Sequence, residues 1–508
     1  MTRLAALTML VTAMLVTALS VLLPAPAGAA PAGVEGGVSP RNLTLPAAGD
    51  PVEEILAPVL FADEEGWANS VTLTFDTSKV GVAAVEIDAA QAGGTCSAGP
   101  VVRCVLPGPH RVFERPDDDA TWGFATTTVI MLTLTPEPGA AVGDAGTLSV
   151  ATAVDGGAAT TETATVRIGE GVDLTAVDGA PLTVAPGGAA TLRPAVRNTG
   201  TTAVGGLTAV ISSEPGALAG TNFGNCTYGW SIACTFDTTL TPGGTYRVSA
   251  PFTVEAPGDA AAGSETSLAV QWLTAAEWED QRIPLPQDRT GTGPALELEE
   301  VAASAAGVPQ ADTDQDDNGT YTTVTVTGER RTDVVATGAS IPGTPGEHTI
   351  EVGFGNSGPG TLRYPPFTNN ASYTRVTLPT PLTVVRSDDR CRLLSDDETS
   401  REFTEFDCSL RTTTLPPDQQ VKFTFTVRGA EAVHGEQGSV QVELFGDEDG
   451  IDRDPGNNEA AITVTAAGAE LPITGTSAGA TASIGLGLLF AGAAAVAVRR
   501  RRDGRLGA

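Results

Sequence analysis

The densest group of potential metal ligands is an acidic segment in the middle of the chain. Residues 312–319 read DTDQDDNG, and Asp314, Asp316 and Asn318 follow the spacing of the first half of a calcium-binding loop. The twelfth position of such a loop is Thr325 here, where a glutamate is usual. These residues are therefore a candidate calcium site. The alternative is that the acids shape a turn and cap backbone amides before a strand.

Residues that could support catalysis are few. The chain has three histidines, His110, His348 and His434, and none lies in a recognisable catalytic or metal-binding motif. A G-x-S-x-G pattern occurs at 475–479, but it lies in the C-terminal tail rather than at the strand-to-helix turn that exposes a nucleophilic serine. We therefore expect no enzymatic activity.

The C-terminal tail has three consecutive parts. The first is LPITG, formed by Leu471, Pro472, Ile473, Thr474 and Gly475. Residues 479–498 follow as 20 residues without a charge, and as a helix they would be roughly 30 Å long, about one hydrocarbon core. Residues 499–508 begin with four arginines, so the positive-inside rule keeps this end in the cytoplasm. The tail therefore predicts a transmembrane helix with a basic cytoplasmic end.

This tail resembles the sorting signal of Gram-positive surface proteins, in which an LPxTG motif precedes a hydrophobic span and a basic end. The resemblance implies that a sortase cleaves between Thr474 and Gly475 and joins the Thr474 carbonyl to an amine of the peptidoglycan precursor. It also implies that the membrane holds the chain during sorting. A plain single-span membrane protein is the alternative, and the position of LPITG just before the span argues against it.

The N-terminus has the features of a secretory signal peptide. Arg3 is followed by an apolar run, and Ala27, Gly28 and Ala29 form a small-residue cleavage site. We predict that residues 1–29 are removed on export and that the displayed protein is the segment of about 445 residues from 30 to 474. Its predicted location is the cell wall at the cell surface.

Charge restricts the partners of the displayed segment. The full chain has a formal net charge of −32, and removal of both ends takes away six arginines and one aspartate, which leaves −37. An acidic surface of this kind repels nucleic acids and anionic headgroups, so we expect no nucleic-acid partner. Lysine is scarce beside arginine, and with the abundance of alanine and glycine this indicates a high-GC genome, as in actinobacteria.

The six cysteines lie in three close pairs. The pairs are Cys96 with Cys104, Cys226 with Cys234, and Cys391 with Cys408. In an exported chain, an even number of cysteines with local pairing predicts disulfides. Metal binding is the alternative, but two thiols without a nearby histidine cannot complete a tetrahedral zinc site.

The segment between the two ends has the pattern of an all-β protein. Short runs of alternating polar and apolar residues recur, such as SVTLTF at 70–75 and VKFTFTV at 421–427. Pro-Gly, Asp-Gly and Asn-x-Gly turns separate them. Many short strands joined by such turns are typical of β-sandwiches.

Two stretches of this segment are repeats of one another. Residues 172–201 and 332–361 each read as strand, Pro-Gly turn, strand and Asn-x-Gly turn. The acidic segment at 312–319 also holds the position before a strand that DRDPGNN holds at 452–458, which is the basis for the turn alternative. We predict three β-sandwich domains, at 36–170, 171–330 and 331–467.

The order of strands, turns, paired cysteines and closing strand resembles the immunoglobulin-like conserved-repeat domains of bacterial surface proteins, which are related to cell-adhesion (CARDB) domains. The resemblance implies tandem immunoglobulin-like sandwiches without catalysis. Two roles stay open: a structural stalk of the cell envelope, or an adhesin whose first domain binds an extracellular protein or glycan. The candidate ligand contacts, for which packing in a core is the alternative, are Trp67, Trp122, Tyr228, Trp230, Trp272 and Trp278.

Overall fold

The computed structural model describes most of the chain between the two ends. The described ranges are 33–115, 129–214, 216–220, 222–282, 287–299, 310–363, 371–379, 382–394, 404–410, 414–429, 437–444 and 450–465. Regular structure in these ranges is nearly all β-strand, and it encloses three separate hydrophobic cores along the chain. The predicted all-β fold is confirmed.

The first sandwich packs a large sheet against a small one. Its strands are β1 (Glu35–Gly37), β2 (Leu43–Pro46), β3 (Val52–Leu56), β4 (Val59–Ala62), β5 (Gly66–Asp76), β6 (Ala83–Asp88), β7 (Thr95–Cys96), β8 (Val101–Glu114), β9 (Ile130–Pro136), β10 (Ala145–Val154) and β11 (Thr160–Val172). The large sheet has the order β1-β4-β8-β5-β10-β11-β2, and β3-β9-β6 form the small sheet. Alternate residues point inward, so Leu73, Leu106 and Leu132 are fully buried between the sheets.

The second sandwich adds a short helix to the same arrangement. Its elements are β12 (Leu174–Ala176), β13 (Leu182–Val184), β14 (Ala189–Leu192), β15 (Ala195–Asn198), β16 (Val204–Ser213), β17 (Leu218–Ala219), β18 (Cys226–Tyr228), β19 (Ile232–Leu240), β20 (Thr245–Val248), β21 (Phe252–Glu255), β22 (Glu265–Thr274), α1 (Ala275–Gln281), β23 (Arg289–Thr290), β24 (Leu298–Glu299), β25 (Gln310–Asp312) and β26 (Gly319–Val326). Sheet β13-β26-β22-β16-β19-β18-β23 faces sheets β12-β15-β20-β24 and β14-β21-β17. Helix α1 begins after Thr274 because Thr274 and Glu277 form a capping box.

The third sandwich repeats this plan. Its strands are β27 (Val334–Thr337), β28 (Ala339–Pro342), β29 (Gly346–Asn356), β30 (Leu362–Arg363), β31 (Ala371–Leu378), β32 (Thr383–Arg386), β33 (Cys391–Leu393), β34 (Thr404–Cys408), β35 (Thr414–Leu415), β36 (Gln420–Gly429), β37 (Gln437–Leu444) and β38 (Glu459–Thr465). Sheet β28-β38-β37-β31-β34-β33 faces sheet β27-β29-β36-β32, and β30 pairs with β35.

All three sandwiches have the strand order of an immunoglobulin-like domain. In each large sheet an early strand runs parallel to the last one, as β2 with β11, β13 with β26 and β28 with β38. From the last strand the order continues as β11-β10-β5-β8, β26-β22-β16-β19 and β38-β37-β31-β34. This is the G-F-C-C′ order of variable-type immunoglobulin domains. The first sandwich shares the topology although its sequence lacks most of the repeat.

The disulfides occupy the same place in each sandwich. They join Cys96 to Cys104, Cys226 to Cys234 and Cys391 to Cys408, and each pair lies directly across the hairpin that contains the C′ strand. The three predicted pairs are therefore present. Each one joins the two strands of its hairpin.

The repeated Asn-x-Gly turns have matching geometry. The Asn198 side chain donates to the carbonyls of Thr202 at 2.8 Å and Leu240 at 3.0 Å, and it accepts from the Gly200 amide at 3.1 Å. Asn356 makes the equivalent bonds in the third sandwich, to two carbonyls and from one turn amide, and it also accepts from the Asp333 amide at 3.3 Å. Both asparagines are buried. The turn motif is thus structural, because it satisfies backbone groups that the sheets leave unpaired.

Candidate functional sites at the joints and on the first sandwich

The predicted anchor lies outside the described residues. This applies to the signal peptide at 1–29, the LPITG motif at 471–475, the apolar span at 479–498 and the tail at 499–508. Among the residues that the structure describes, no helix is long and apolar enough to cross a membrane. The anchor stays a prediction from the sequence.

The candidate calcium residues form a capped turn. Gln315–Asp317 is a 3-10 helix, and the Asp314 side chain accepts a hydrogen bond from the Asp316 amide at 3.3 Å. Asp314 and Asp316 are exposed, whereas Asn318 is buried. The same capped turn recurs at Pro455–Asn457. This capping and its recurrence match the turn alternative. In the described ranges no group of three or more His, Cys, Asp or Glu side chains is placed to hold a metal, and the calcium site stays a prediction from the sequence.

The candidate aromatic contacts differ in their exposure to solvent. Trp272 is 0% exposed and packs on Phe236 in the core of the second sandwich, with ring centroids 6.2 Å apart, so it is a core residue. Trp67 and Trp230 are exposed, by 37% and 74%. Trp278 is half-buried on α1. Among the candidates that the structure describes, Trp67 and Trp230 are the two exposed rings.

Two further candidates complete the set. Tyr228 is half-buried, and its hydroxyl accepts a hydrogen bond from the Phe223 amide at 2.6 Å. Trp122 lies outside the described residues.

The first joint connects the first two sandwiches and consists of β2, β11, β25 and α1. Strand β11 leaves the first sandwich and pairs in parallel with β25, with Glu170 beside Gln310 and Val172 beside Asp312. The Gln310 side chain donates to the Glu170 carboxylate at 3.1 Å. One strand therefore belongs to both sandwiches, and no linker separates them.

Helix α1 holds the first sandwich through Asp280. The Asp280 carboxylate accepts hydrogen bonds from the Thr44 hydroxyl at 2.5 Å and the Arg167 guanidinium at 2.8 Å. Arg167 also donates to the Thr44 hydroxyl at 2.8 Å, which closes a triangle of side chains. Burial raises the pKa of Asp280. The Thr44 hydrogen bond and the Arg167 charge lower it, but burial outweighs them. If either partner were lost, a buried charge would be left uncompensated, at a high cost in free energy. The three side chains therefore hold the helix in position against the first sandwich.

Two buried carboxyls lie behind this triangle. Glu277 accepts hydrogen bonds from the amides of Thr274 and Asp312, both at 2.8 Å. Asp312 accepts from the amides of Leu174 at 2.7 Å and Asp314 at 2.8 Å. Burial raises the pKa of both groups, that of Asp312 to about 8, and the Glu277 charge adds to the shift of Asp312. These acids organise backbone at the joint, which is a structural role.

The second joint connects the second and third sandwiches through Asp259. Its carboxylate accepts hydrogen bonds from the Thr361 hydroxyl at 2.8 Å and the Arg363 guanidinium at 2.5 Å. Burial opposes ionisation of Asp259, but the Thr361 hydrogen bond and the Arg363 charge outweigh it and lower its pKa. Gly360 lies so close to Ala261 that an added Cβ would be 2.7 Å from the Ala261 Cβ. The backbones of the two sandwiches are therefore in direct contact.

An aromatic face lies on the outside of the first sandwich. We use this name for Phe61, Trp67, Arg111 and Phe113, which project from the outer side of β4, β5 and β8. Phe61 is the register partner of Phe113, and Trp67 is the partner of Arg111. The two phenylalanine rings lie 6.5 Å apart, and the Arg111 guanidinium lies 5.0 Å over the Phe113 ring. The sequence pointed to Trp67 alone, because the other three become neighbours only through the pairing of the strands.

Comparison with known proteins finds solved structures that match the chain but no protein family that does. No known family matches the chain, and no curated protein matches it. A protein from Corynebacterium diphtheriae named as membrane anchored is 9% identical, covers 86% of this chain and 92% of its own, and has a TM-score of 0.16. An I-band fragment of titin is 8% identical, with 86% and 99% coverage and a TM-score of 0.16.

A third solved structure matches with similar identity, coverage and TM-score. Extracellular domains 3–5 of Drosophila OTK are 9% identical, with 86% and 98% coverage and a TM-score of 0.16. Overlaps this low carry no argument, so the immunoglobulin-like assignment rests on the strand order of this chain. The three disulfides indicate an extracellular or cell-surface protein, since such bonds persist in oxidising surroundings.

Proposed function

We propose that the chain is a non-catalytic surface protein that sortase joins to peptidoglycan through Thr474, and that it serves as a stalk or spacer of the cell envelope. The observation that carries the proposal is LPITG at 471–475, followed by 20 uncharged residues and four arginines. The membrane holds the chain until sortase acts. The organism is accordingly a Gram-positive bacterium, and the composition favours an actinobacterium.

The described domains support a spacer role. A spacer needs stable modules and connections that resist bending, and it needs no cofactor. The shared strand β11 and the contacts of Asp280 and Asp259 tie neighbouring sandwiches together at both joints. Domains connected by free linkers move independently, whereas paired backbone and ion pairs across a joint restrict bending.

Cell fractionation tests the anchoring. The full chain and its Thr474→Ala variant are produced in an actinobacterial host that has a sortase, with Thr481→Ala in the apolar span as the matched control. We expect the wild type and the control in the wall fraction that muramidase releases, and Thr474→Ala in the membrane fraction. Equal amounts of wild type and Thr474→Ala in the wall would contradict the proposal.

Adhesion through the first sandwich is a second candidate function. The observation that favours it is the aromatic face, because an exposed tryptophan beside two phenylalanines is unusual on the outer side of a sheet. Display at the cell surface would bring this face to an extracellular ligand. Whole cells with Trp67→Ala should attach less to a ligand-coated surface than wild-type cells that display the same amount of protein.

A further inference from the structure

In each large sheet, an early strand and the last strand are neighbours that run in the same direction. These pairs are β2 with β11, β13 with β26 and β28 with β38, and their registers contain four, three and four residue pairs. The chain enters each sandwich through a short strand, β1, β12 or β27, then reaches the early strand, and it leaves through the last strand. A lengthwise pull on the chain therefore acts on these parallel pairs.

Parallel pairing places the two strands in shear under such a pull. The pull draws the early strand toward its N-terminal end and the last strand toward its C-terminal end, and in a parallel pair these two ends point in opposite directions. The strands then separate by sliding, so the hydrogen bonds between them carry the load together. In an antiparallel pair both loaded ends would lie at one edge, and the bonds would open one at a time.

The middle sandwich fastens the parallel pair of the first sandwich. Thr44 on β2 and Arg167 on β11 are register partners. The Asp280 carboxylate on α1 accepts a hydrogen bond from each of them, and its side chain is 3% exposed. When β2 slides past β11, at least one of these buried, charge-assisted hydrogen bonds must break together with the backbone pairing.

The disulfides leave the parallel pairs uncrosslinked. They join the strands of the hairpins β7–β8, β18–β19 and β33–β34, with separations of 8, 8 and 17 residues, and no cysteine is free. A sandwich whose parallel pair has separated therefore extends through most of its chain. At about 3.5 Å per residue and with the disulfide loops closed, this chain amounts to roughly 41, 48 and 38 nm in the first, second and third sandwich, before the folded length is subtracted.

We propose that the array is a tether that bears tension, in which each sandwich resists a lengthwise pull through shear of its parallel pair, and in which Asp280 reinforces the pair of the first sandwich. The proposal rests on the stalk role and takes the anchor at Thr474 from it. A pull between the first sandwich and the wall passes lengthwise through the other two. When a parallel pair gives way, its sandwich lengthens, and the tension on the anchor falls.

Single-molecule force spectroscopy on residues 30–474, which contain all three cores, tests the proposal. With handles at the two ends and constant tension, we expect three separate extension steps, of which the step of the second sandwich is the longest. Reductant should lengthen the three steps by roughly 3, 3 and 6 nm, which assigns each step to its sandwich. A gradual extension, or one step for the whole array, would overturn the proposal.

The direction of the load provides a control within the third sandwich. Glu347 and Arg428 face each other at one end of β29 and β36, and their ion pair is exposed, so its loss changes little. Handles attached at these two residues peel the antiparallel strands apart one bond at a time. At equal tension the sandwich should last at least roughly tenfold longer when it is pulled through its two ends, which corresponds to one or two hydrogen bonds that break together. Equal lifetimes would overturn the role of the parallel pair.

Two variants test the role of Asp280. Asp280→Ala removes the carboxylate, and Thr44→Val removes one of its partners while it keeps the size of the buried side chain. Each should shorten the lifetime of the first sandwich under tension at least roughly tenfold, as expected for a hydrogen bond to a charged group, and should leave that of the third sandwich unchanged. Glu279→Ala on the same helix is the control, because Glu279 is exposed and pairs with Arg282.

The reinforcement by Asp280 is overturned if the first sandwich lasts as long in both variants as in the wild type. Calorimetry on the same variants shows that the three sandwiches are folded before they are pulled. Wall fractionation reports anchoring separately, so a failure of the tether proposal leaves the anchoring result unaffected.

Discussion

Replacing Asn198 with alanine should destabilise the second sandwich. The side chain is 0% exposed, and the substitution removes three hydrogen bonds, to two carbonyls and from one amide. Each such bond contributes about 1 kcal/mol net, and buried groups left without a partner add to the loss. We expect a destabilisation of about 3–4 kcal/mol. At about 3 °C per kcal/mol for a domain of this size, the melting transition should fall by roughly 10 °C.

The repeat supplies a matched variant for this prediction. Asn356→Ala removes the three equivalent bonds in the third sandwich, at 2.7, 3.1 and 3.1 Å, and a longer fourth bond from the Asp333 amide at 3.3 Å. It should therefore lower the transition of that domain by a similar or slightly larger amount. Asn69→Ala is the control, because Asn69 is exposed and should cost less than about 0.5 kcal/mol. Differential scanning calorimetry resolves the transitions. A loss below 0.5 kcal/mol for Asn198→Ala, or a more than twofold difference between the two buried sites, would refute the reasoning.

Three other outcomes follow from the structure. Reduction of the disulfides, which close loops with separations of 8, 8 and 17 residues, should cost each sandwich about 2.5–3 kcal/mol, measured as melting with and without reductant. Hydrogen bonds from Arg390 hold the pKa of Asp388 well below its ordinary value, so Asp388 stabilises the third sandwich above pH ~4 and this stabilisation disappears as the pH falls further. Asp388→Asn should therefore cost about 2 kcal/mol at pH 7 and flatten the acid side of the melting profile, while Asp389→Asn should not. Asp280→Ala should loosen the first joint, seen as a broader distance distribution in small-angle scattering, and an unchanged distribution would argue against its role.

The features that the sequence predicted are those with local signals. Alternating strands, turn residues and closely spaced cysteines each act within a short stretch of chain, and all of them are present as expected. The acids around Asp314 also act locally, as the cap of one turn. The common topology of the first sandwich was less evident from the sequence, because its turns differ in composition while its strand order is the same.

The features that the sequence did not predict depend on distant pairs. Helix α1 is the exception, because its start has a local signal in the capping box of Thr274 and Glu277. Its contacts with Thr44 and Arg167 had none, since these partners lie more than 100 residues away in the chain. The aromatic face likewise exists only through strand register. For Trp272 the sequence left a ligand contact and core packing open, and the residue lies in the core.

The most direct test of the central claim is the mass of the C-terminal peptide from purified cell wall. Muramidase releases the anchored protein, and trypsin then cuts after Arg453. The account predicts a peptide that begins at Asp454, ends at Thr474 and carries an amide-linked fragment of peptidoglycan. A peptide that continues through Gly475 into the apolar span, or that ends at Thr474 as a free acid, would contradict sortase anchoring.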